Sequence, residues 1–218
     1  MSSKVYLIRH AESAHNVSHD FNLRDPGLTP LGITQATALA STFPAPLSSI
    51  AVILTSPLSR TIETTLAAFG SITSNNANND NDEEVKLILD PDLQERSDLP
   101  CDTGSDVAQL RNKFPTLEFS DDVFKGEWYA KAGRFTADDE AVAARAREVR
   151  TKIREIVKGI EAENDGSGAS VGKRDVVVVT HGVFMKFLAQ DQTVDLPKAG
   201  WKAFFVGEGE DASLVAVE

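Results

Sequence analysis

The feature that most constrains this chain is an alternation. Short apolar runs, Val5–Ile8, Ile50–Leu54, Val85–Leu89 and Asp175–Val179, are each followed after a few residues by polar or helix-like sequence. Continuous apolar runs of this length suit strands buried on both faces, as in a parallel sheet covered by helices. Helix starts fall between them. Thr29-Pro30 offers an N-cap and a first-turn proline, with Leu31, Gln35, Ala38, Leu39 and Phe43 following until Pro44 and Pro46. Ser56-Pro57 repeats that start, with Leu58, Ile62, Leu66 and Phe69 along one face and Gly70 at the end. Asp138–Glu163 reads as a long helix carrying Val142, Val149, Ile153, Ile156 and Ile160, and Val183–Ala189 as a short one. Ala203–Val206 and Leu214–Val217 read as closing strands. The pattern predicts a three-layer α/β/α sandwich with a largely parallel sheet, residues 1–218 forming a single domain.

Two stretches depart from the alternation. Residues 71–84 are Ser, Asn, Asp and Glu with almost nothing apolar, which predicts a flexible surface insertion. Residues 97–135 mix acidic side chains with Phe114, Phe119, Phe124, Trp128, Tyr129 and Phe135, which predicts a cap-like cover whose aromatic side chains serve mainly as core.

Charge and cysteine usage narrow the function classes. A net charge of −11 argues against nucleic acid or an anionic membrane as partner, so any anion site must be built locally. Cys101 is the single cysteine, which leaves no intrachain disulfide and no thiolate metal cluster. The opening residues lack the apolar core of a signal peptide, and no run approaches membrane-spanning length, so a cytoplasmic or nuclear location is expected.

In a parallel sheet ligands bind beyond the carboxyl ends of the strands. The first run ends in Arg9-His10, with Asn16 in the irregular segment beyond. The second ends in Thr55-Ser56-Pro57, with Arg60 in the next helix. The third is followed by Asp90 and Glu95, and the fourth by Thr180-His181. Histidines, arginines and a carboxylate thus converge on one rim. An imidazole can attack phosphorus and hold the phosphoryl group covalently. Arginines can grip the nonbridging oxygens, His181 can add a donor, and a carboxylic acid can protonate the leaving oxygen and then deprotonate water. Neighbouring cations are expected to keep His10 neutral, and burial to raise Glu95 toward its acid form.

These residues carry a resemblance. The sequence resembles the histidine phosphatase superfamily, in its phosphoglycerate-mutase-like branch. Arg9-His10-Ala11-Glu12 is similar to the family's Arg-His-Gly-Glu motif, with Asn16 at the usual distance. Leu28 to Ala36, Ser56-Pro57 with Arg60 and Thr64, Leu93-Gln94-Glu95, and Thr180-His181-Gly182 match its later motifs in order. The resemblance implies a phosphohistidine at His10, phosphate binding by Arg9, Asn16, Arg60 and His181, acid/base work by Glu95, a small phosphorylated substrate, and no metal or organic cofactor. Two departures stand out. Ala11 replaces the family glycine, which would matter if the backbone there needed positive φ. The true mutases carry an asparagine where Val183 stands and a serine-glycine pair where Asn22-Leu23 stands, which favours a phosphatase. A mutase remains the alternative. So does a pocket that only binds phospho-ligands, or one turned to another hydrolysis.

Other chemistries fit less well. His15 and His19 are spaced like a metal pair but lack a carboxylate with ligand spacing, and read as surface polar residues. Cys101 has Val107 where a cysteine phosphatase needs arginine. Asp90-Pro91-Asp92 hints at an aspartate nucleophile, but Gln94 stands where a Thr or Val is needed. Gly166–Lys173 has the wrong glycine spacing for a phosphate loop. Lys125, Lys131 and Arg134 in the cap either meet a second anionic group or face water.

Overall fold

The computed structural model describes residues 2–73, 85–167 and 172–217. Six strands, β1 (Val5–Arg9), β2 (Ile50–Thr55), β3 (Lys86–Leu89), β4 (Asp175–Thr180), β5 (Trp201–Val206) and β6 (Leu214–Ala216), form one sheet. Its order is β3-β2-β4-β1-β5-β6. β3, β2, β4 and β1 run parallel, while β5 and β6 add antiparallel at one edge. Helices are α1 (Ala14–Ser18), α2 (Pro30–Thr42), α3 (Ser59–Phe69), α4 (Val107–Lys113), α5 (Asp139–Ser167) and α6 (Gly182–Leu188). The chain is thus a mixed α/β fold with a mostly parallel central sheet, as the alternation predicts.

The strand period of two sorts the core into layers. Val5, Leu7, Leu54, Val176 and Val178 face α5 and α6, meeting Val149, Ile153, Phe184 and Leu188. Tyr6, Ile8, Ile53, Val177 and Val179 face α2 and α3, meeting Leu39, Phe43 and Phe69. β4 is buried along its whole length, which explains its unbroken valines. Each such side chain contributes roughly 1.5–3 kcal/mol by leaving water.

Some expectations shift. In α2 the buried face is Gly32, Ala36 and Leu39, while Leu31 and Ala38 are exposed. The cause is a close approach: a Cβ on Gly32 would lie 1.9 Å from the Glu12 carbonyl oxygen, so glycine lets the helix seat against the β1–α1 connection. α3 starts at Ser59 with Leu58 at the cap position, so Ser56 is not the cap that its proline pairing implied. Gly70 ends α3 in right-handed geometry. α5 runs to Ser167, into the segment read as a glycine-serine loop. α1 occupies part of the segment read as irregular. The expected insertion falls mainly on residues 74–84, which lie outside the described residues.

The aromatic segment forms a further apolar cluster with α3 and β3. Phe114, Phe119, Phe124 and Trp128 bury against Ile62, Leu89 and Leu110, with edge-to-face ring pairs at 5.5 Å for Phe119–Phe124 and Phe124–Trp128. Among the described residues, no helix is long and apolar enough to cross a membrane.

Candidate active site

The carboxyl ends of β1, β2 and β4 are level because their registers pair Arg9 with Thr180 and Thr55 with Val179. Backbone bonds carry that alignment one residue further, from His10 N to Thr180 O and from Ser56 N to Val179 O. His10 and His181 therefore emerge side by side, their ring centroids 5.3 Å apart, and both are buried.

The tautomer of His10 follows from its contacts. Nδ1 lies 2.7 Å from the Ala11 carbonyl oxygen, which can only accept, so Nδ1 carries the proton. Nε2 then holds the lone pair, and Arg60 Nε donates to it across 3.3 Å. Burial first, and the Arg60 charge second, hold the His10 imidazolium well below its usual range. His10 is a neutral imidazole with a basic Nε2, although burial outranks the cationic neighbours expected to achieve this. His181 is lowered by the same two causes. Its Nε2 pairs with Ser56 Oγ at 2.9 Å, while the buried Nδ1 has no protein partner.

The arginines are already engaged. Arg60, 1% exposed, donates from Nη1 to the Cys101 carbonyl at 2.6 Å and from Nη2 to Asp102 Oδ1 at 2.7 Å. Ser97 Oγ donates to the other Asp102 oxygen at 2.6 Å. Arg9 donates from Nη1 to the Leu196 carbonyl at 2.6 Å and lies 3.4 Å from the exposed Asp195. Its buried Nε has no partner.

Glu95 is buried and held by backbone donors. Its oxygens accept from the backbone N–H groups of Arg96 at 2.8 Å, Val183 at 3.0 Å and Phe184 at 2.8 Å. It therefore caps the amino end of α6 directly behind His181. Its loop is held on several sides: Thr180 Oγ1 donates to Leu93 O, Arg145 to the carbonyls of Asp92 and Gln94, and Lys131 to the carbonyl of Glu95 itself. A cleft of about 390 Å³ lined by Glu95, Arg96, Ser97, Asp102 and Val183 opens beside it.

Asn16 belongs to a second ring of contacts. Its Oδ1 accepts from Ser13 N and Ser13 Oγ, and its Nδ2 donates to His15 Nε2 at 2.9 Å, which leaves one N–H uncommitted. His15 is not the surface residue that its setting implied. It is buried 6.3 Å from His10, ring to ring, and burial with Arg60 pulls it down to about 4. His19 faces solvent at the end of α1. The Cys101 thiol is buried and pushed up to about 11, chiefly by desolvation. Of the cap cations, Lys125 pairs with Asp122 and Arg134 with Asp92, and only Lys131 reaches the site. Among the described residues, no cluster of His, Cys, Asp and Glu forms a metal-binding set.

Ala11 is fully buried, donates its N–H to Thr64 Oγ1 at 3.0 Å, and is absent from the positive-φ positions. Its methyl group imposes no backbone strain. Ser56, Asp102, His15 and Arg145 were not picked out as site residues from the sequence. A buried arginine needs a carboxylate, so Arg60 signalled that one exists, but only folding shows that it is Asp102.

Fold and site together describe a phosphatase-type α/β enzyme built around paired histidines. The chain belongs to the histidine phosphatase superfamily, branch 1, whose family model matches residues 5–218. A probable phosphatase of Schizosaccharomyces pombe is 28% identical over 205 residues, 89% of this chain and 83% of that protein. A phosphoglycerate mutase-like protein of Arabidopsis thaliana is 29% identical over 146 residues, and that match spans 53% of either chain. Phosphoserine phosphatase of Entamoeba histolytica, solved with 3-phosphoglyceric acid, superposes with a TM-score of 0.56 at 21% identity, covering 99% of this chain and 95% of that one. A mycobacterial glucosyl-3-phosphoglycerate phosphatase gives 0.55 at 20% identity, covering 98% and 96%. At these identities the superpositions speak for the fold.

Proposed function

We propose that this chain hydrolyses a small phosphomonoester through a phosphohistidine at His10 Nε2, without a metal. The observation that carries the reading is the bond from His10 Nδ1 to the Ala11 carbonyl at 2.7 Å, because it fixes the tautomer that puts the attacking lone pair on Nε2. In the first half-reaction Nε2 bonds to phosphorus as the ester P–O bond breaks, and the leaving oxygen takes a proton from the acid form of Glu95. In the second, water gives a proton to the Glu95 carboxylate and attacks phosphorus, the P–N bond breaks, and inorganic phosphate leaves. Arg9, Arg60, Asn16 and His181 hold the nonbridging oxygens, with His181 Nδ1 and Arg9 Nε as donors that the protein itself leaves unused. The charge that a metal would bring comes from the arginines.

The test is turnover of p-nitrophenyl phosphate in EDTA, together with trapping of an acid-labile phosphoenzyme. Turnover that vanishes in EDTA and returns with Mg²⁺ would overturn metal independence, and a phosphoenzyme stable to acid would overturn phosphohistidine. A requirement for a bisphosphorylated primer would shift the reading to a mutase.

A further inference from the structure

Three cations bear on His10: Arg9, Arg60 and Lys198. They differ in what the protein gives them. Arg60 is tied to Asp102 and to the Cys101 carbonyl, and Arg9 to the Leu196 carbonyl and Asp195. Lys198 has no hydrogen-bond or ion-pair partner for its ammonium among the described residues. The nearby carboxylates are occupied elsewhere, Glu95 by backbone N–H groups and Glu12 by Thr29 Oγ1 at 2.6 Å.

The backbone fixes where Lys198 stands. β5 pairs antiparallel with β1, Ile8 opposite Trp201. The same register continues past the strand ends: Arg9 N donates to Gly200 O at 3.0 Å, and Ala199 N to His10 O at 3.4 Å. Lys198 is the next residue, inside a turn closed by Gly200 N donating to Pro197 O at 2.9 Å. The turn that delivers it is tight. Ala199 takes a positive φ of 57°, an unfavourable conformation for alanine. A Cβ on Gly200 would lie 2.7 Å from the Pro197 ring. Strain of this kind persists where the surroundings over-determine it, and it clusters at ligand clamps.

On this geometry we infer that Lys198 is a phosphate-contacting residue, donating its ammonium to a nonbridging oxygen of the phosphoryl group at His10. Its ammonium makes no direct ion pair among the described residues, Glu95 and Glu12 acting on it only from beyond contact, so a dianion answers it. Burial, then repulsion from Arg9 and Arg60, pulls Lys198 down to about 8, and a bound dianion relieves that repulsion. This assignment rests on the phosphatase reading for its substrate but not for its measurement.

Inorganic phosphate binding to the full chain is followed by calorimetry, beside vanadate inhibition and kcat/KM for p-nitrophenyl phosphate. Lys198→Met is expected to weaken phosphate and vanadate binding by about 10- to 100-fold each, the range for a lost hydrogen bond to a charged group. kcat/KM should fall in step, and Lys198→Arg, which keeps the charge, should recover most of the loss. Phosphate and vanadate binding within about twofold of wild type in Lys198→Met would overturn the assignment, since a lost charged contact costs far more. So would a wild-type chain that binds no phosphate. If the methionine variant melts early, Lys198→Gln, closer in polarity, is read against the same limits. A wild-type chain that binds phosphate but turns over nothing would sink the hydrolase reading alone.

Discussion

Arg60 donates its Nε hydrogen to His10 Nε2 across 3.3 Å, so this bond engages the lone pair that the proposed mechanism uses for attack. On the proposed mechanism the guanidinium gives up this bond as a phosphoryl group arrives, and its Nε–H is then available to a phosphoryl oxygen. Asp102 and the Cys101 carbonyl hold the other two nitrogens throughout, so the exchange needs only a small movement.

Replacing His10 by alanine is expected to abolish phosphomonoester turnover and the acid-labile phosphoenzyme together, with circular dichroism unchanged. Wild-type turnover in that variant would end the phosphohistidine proposal.

Asp102→Ala leaves the Arg60 guanidinium buried without its carboxylate, the two side chains being 1% and 10% exposed. Breaking a buried pair in this way costs about 3–5 kcal/mol. Urea unfolding should register it, and activity should fall because Arg60 loses its anchor. A loss of only about 0–1 kcal/mol, the range for exposed pairs, would mean that Asp102 does little to hold Arg60.

His10, His15 and His181 are all lowered, burial being the largest cause and Arg60 the next. A histidine neutral when folded gains a proton on unfolding, so the unfolded chain binds more protons and stability rises with pH. The contribution is complete above about pH 6.5, the unfolded value, and is lost as pH falls below it. For His15 the loss runs down to about 4. Ring proton signals of the three should stay fixed between about pH 8 and pH 6, around the unperturbed value. Movement centred near the unperturbed value at any of them would contradict its burial as a neutral ring.

Ala11→Gly should not improve the enzyme. Ala11 needs no positive φ, so the change removes a buried methyl and frees the unfolded backbone, costing about 1–2 kcal/mol by thermal or urea unfolding. kcat/KM should stay within roughly threefold, under about 0.7 kcal/mol of barrier. A gain of tens-fold would show that the methyl obstructs the phosphate.

Glu95→Gln separates capping from proton transfer. The amide oxygen can still accept from Arg96 and Phe184 N–H, but its –NH2 then faces the Val183 N–H, so the fold should hold with some loss of stability to urea. An alkyl phosphate, whose leaving oxygen needs a proton, should slow by about 10²- to 10⁴-fold. p-Nitrophenyl phosphate, which departs as a stable anion, should slow far less. Equal losses on both substrates would remove Glu95 as the acid.

The parts of the site that sit on strand ends were legible in the sequence. Arg9, His10 and His181 follow apolar runs whose burial is dictated by composition, so their convergence follows from a parallel sheet. The partners that hold them were not. Asp102 lies far from Arg60 in sequence, in a loop without periodicity. Ser56 resembled a helix cap and instead supports His181. His15 looked like part of a polar surface because its bonds to Ser13 and Asn16, which make its burial affordable, are invisible before α1 forms. Lys198 becomes visible only once β5 is seen to pair with β1.

β1 lies between β4 and β5 in the sheet. Its partners begin at Asp175 and Trp201, so β1 must wait for strands translated long after it. Closing a loop of that length is slow, and an unpaired apolar strand is open to other chains in the meantime. A ribosome that stops before residue 175 therefore releases a chain whose His10 has no partner histidine and whose Val5–Ile8 edge is bare. Activity and resistance to aggregation should arrive together, once β4 and β5 have been translated.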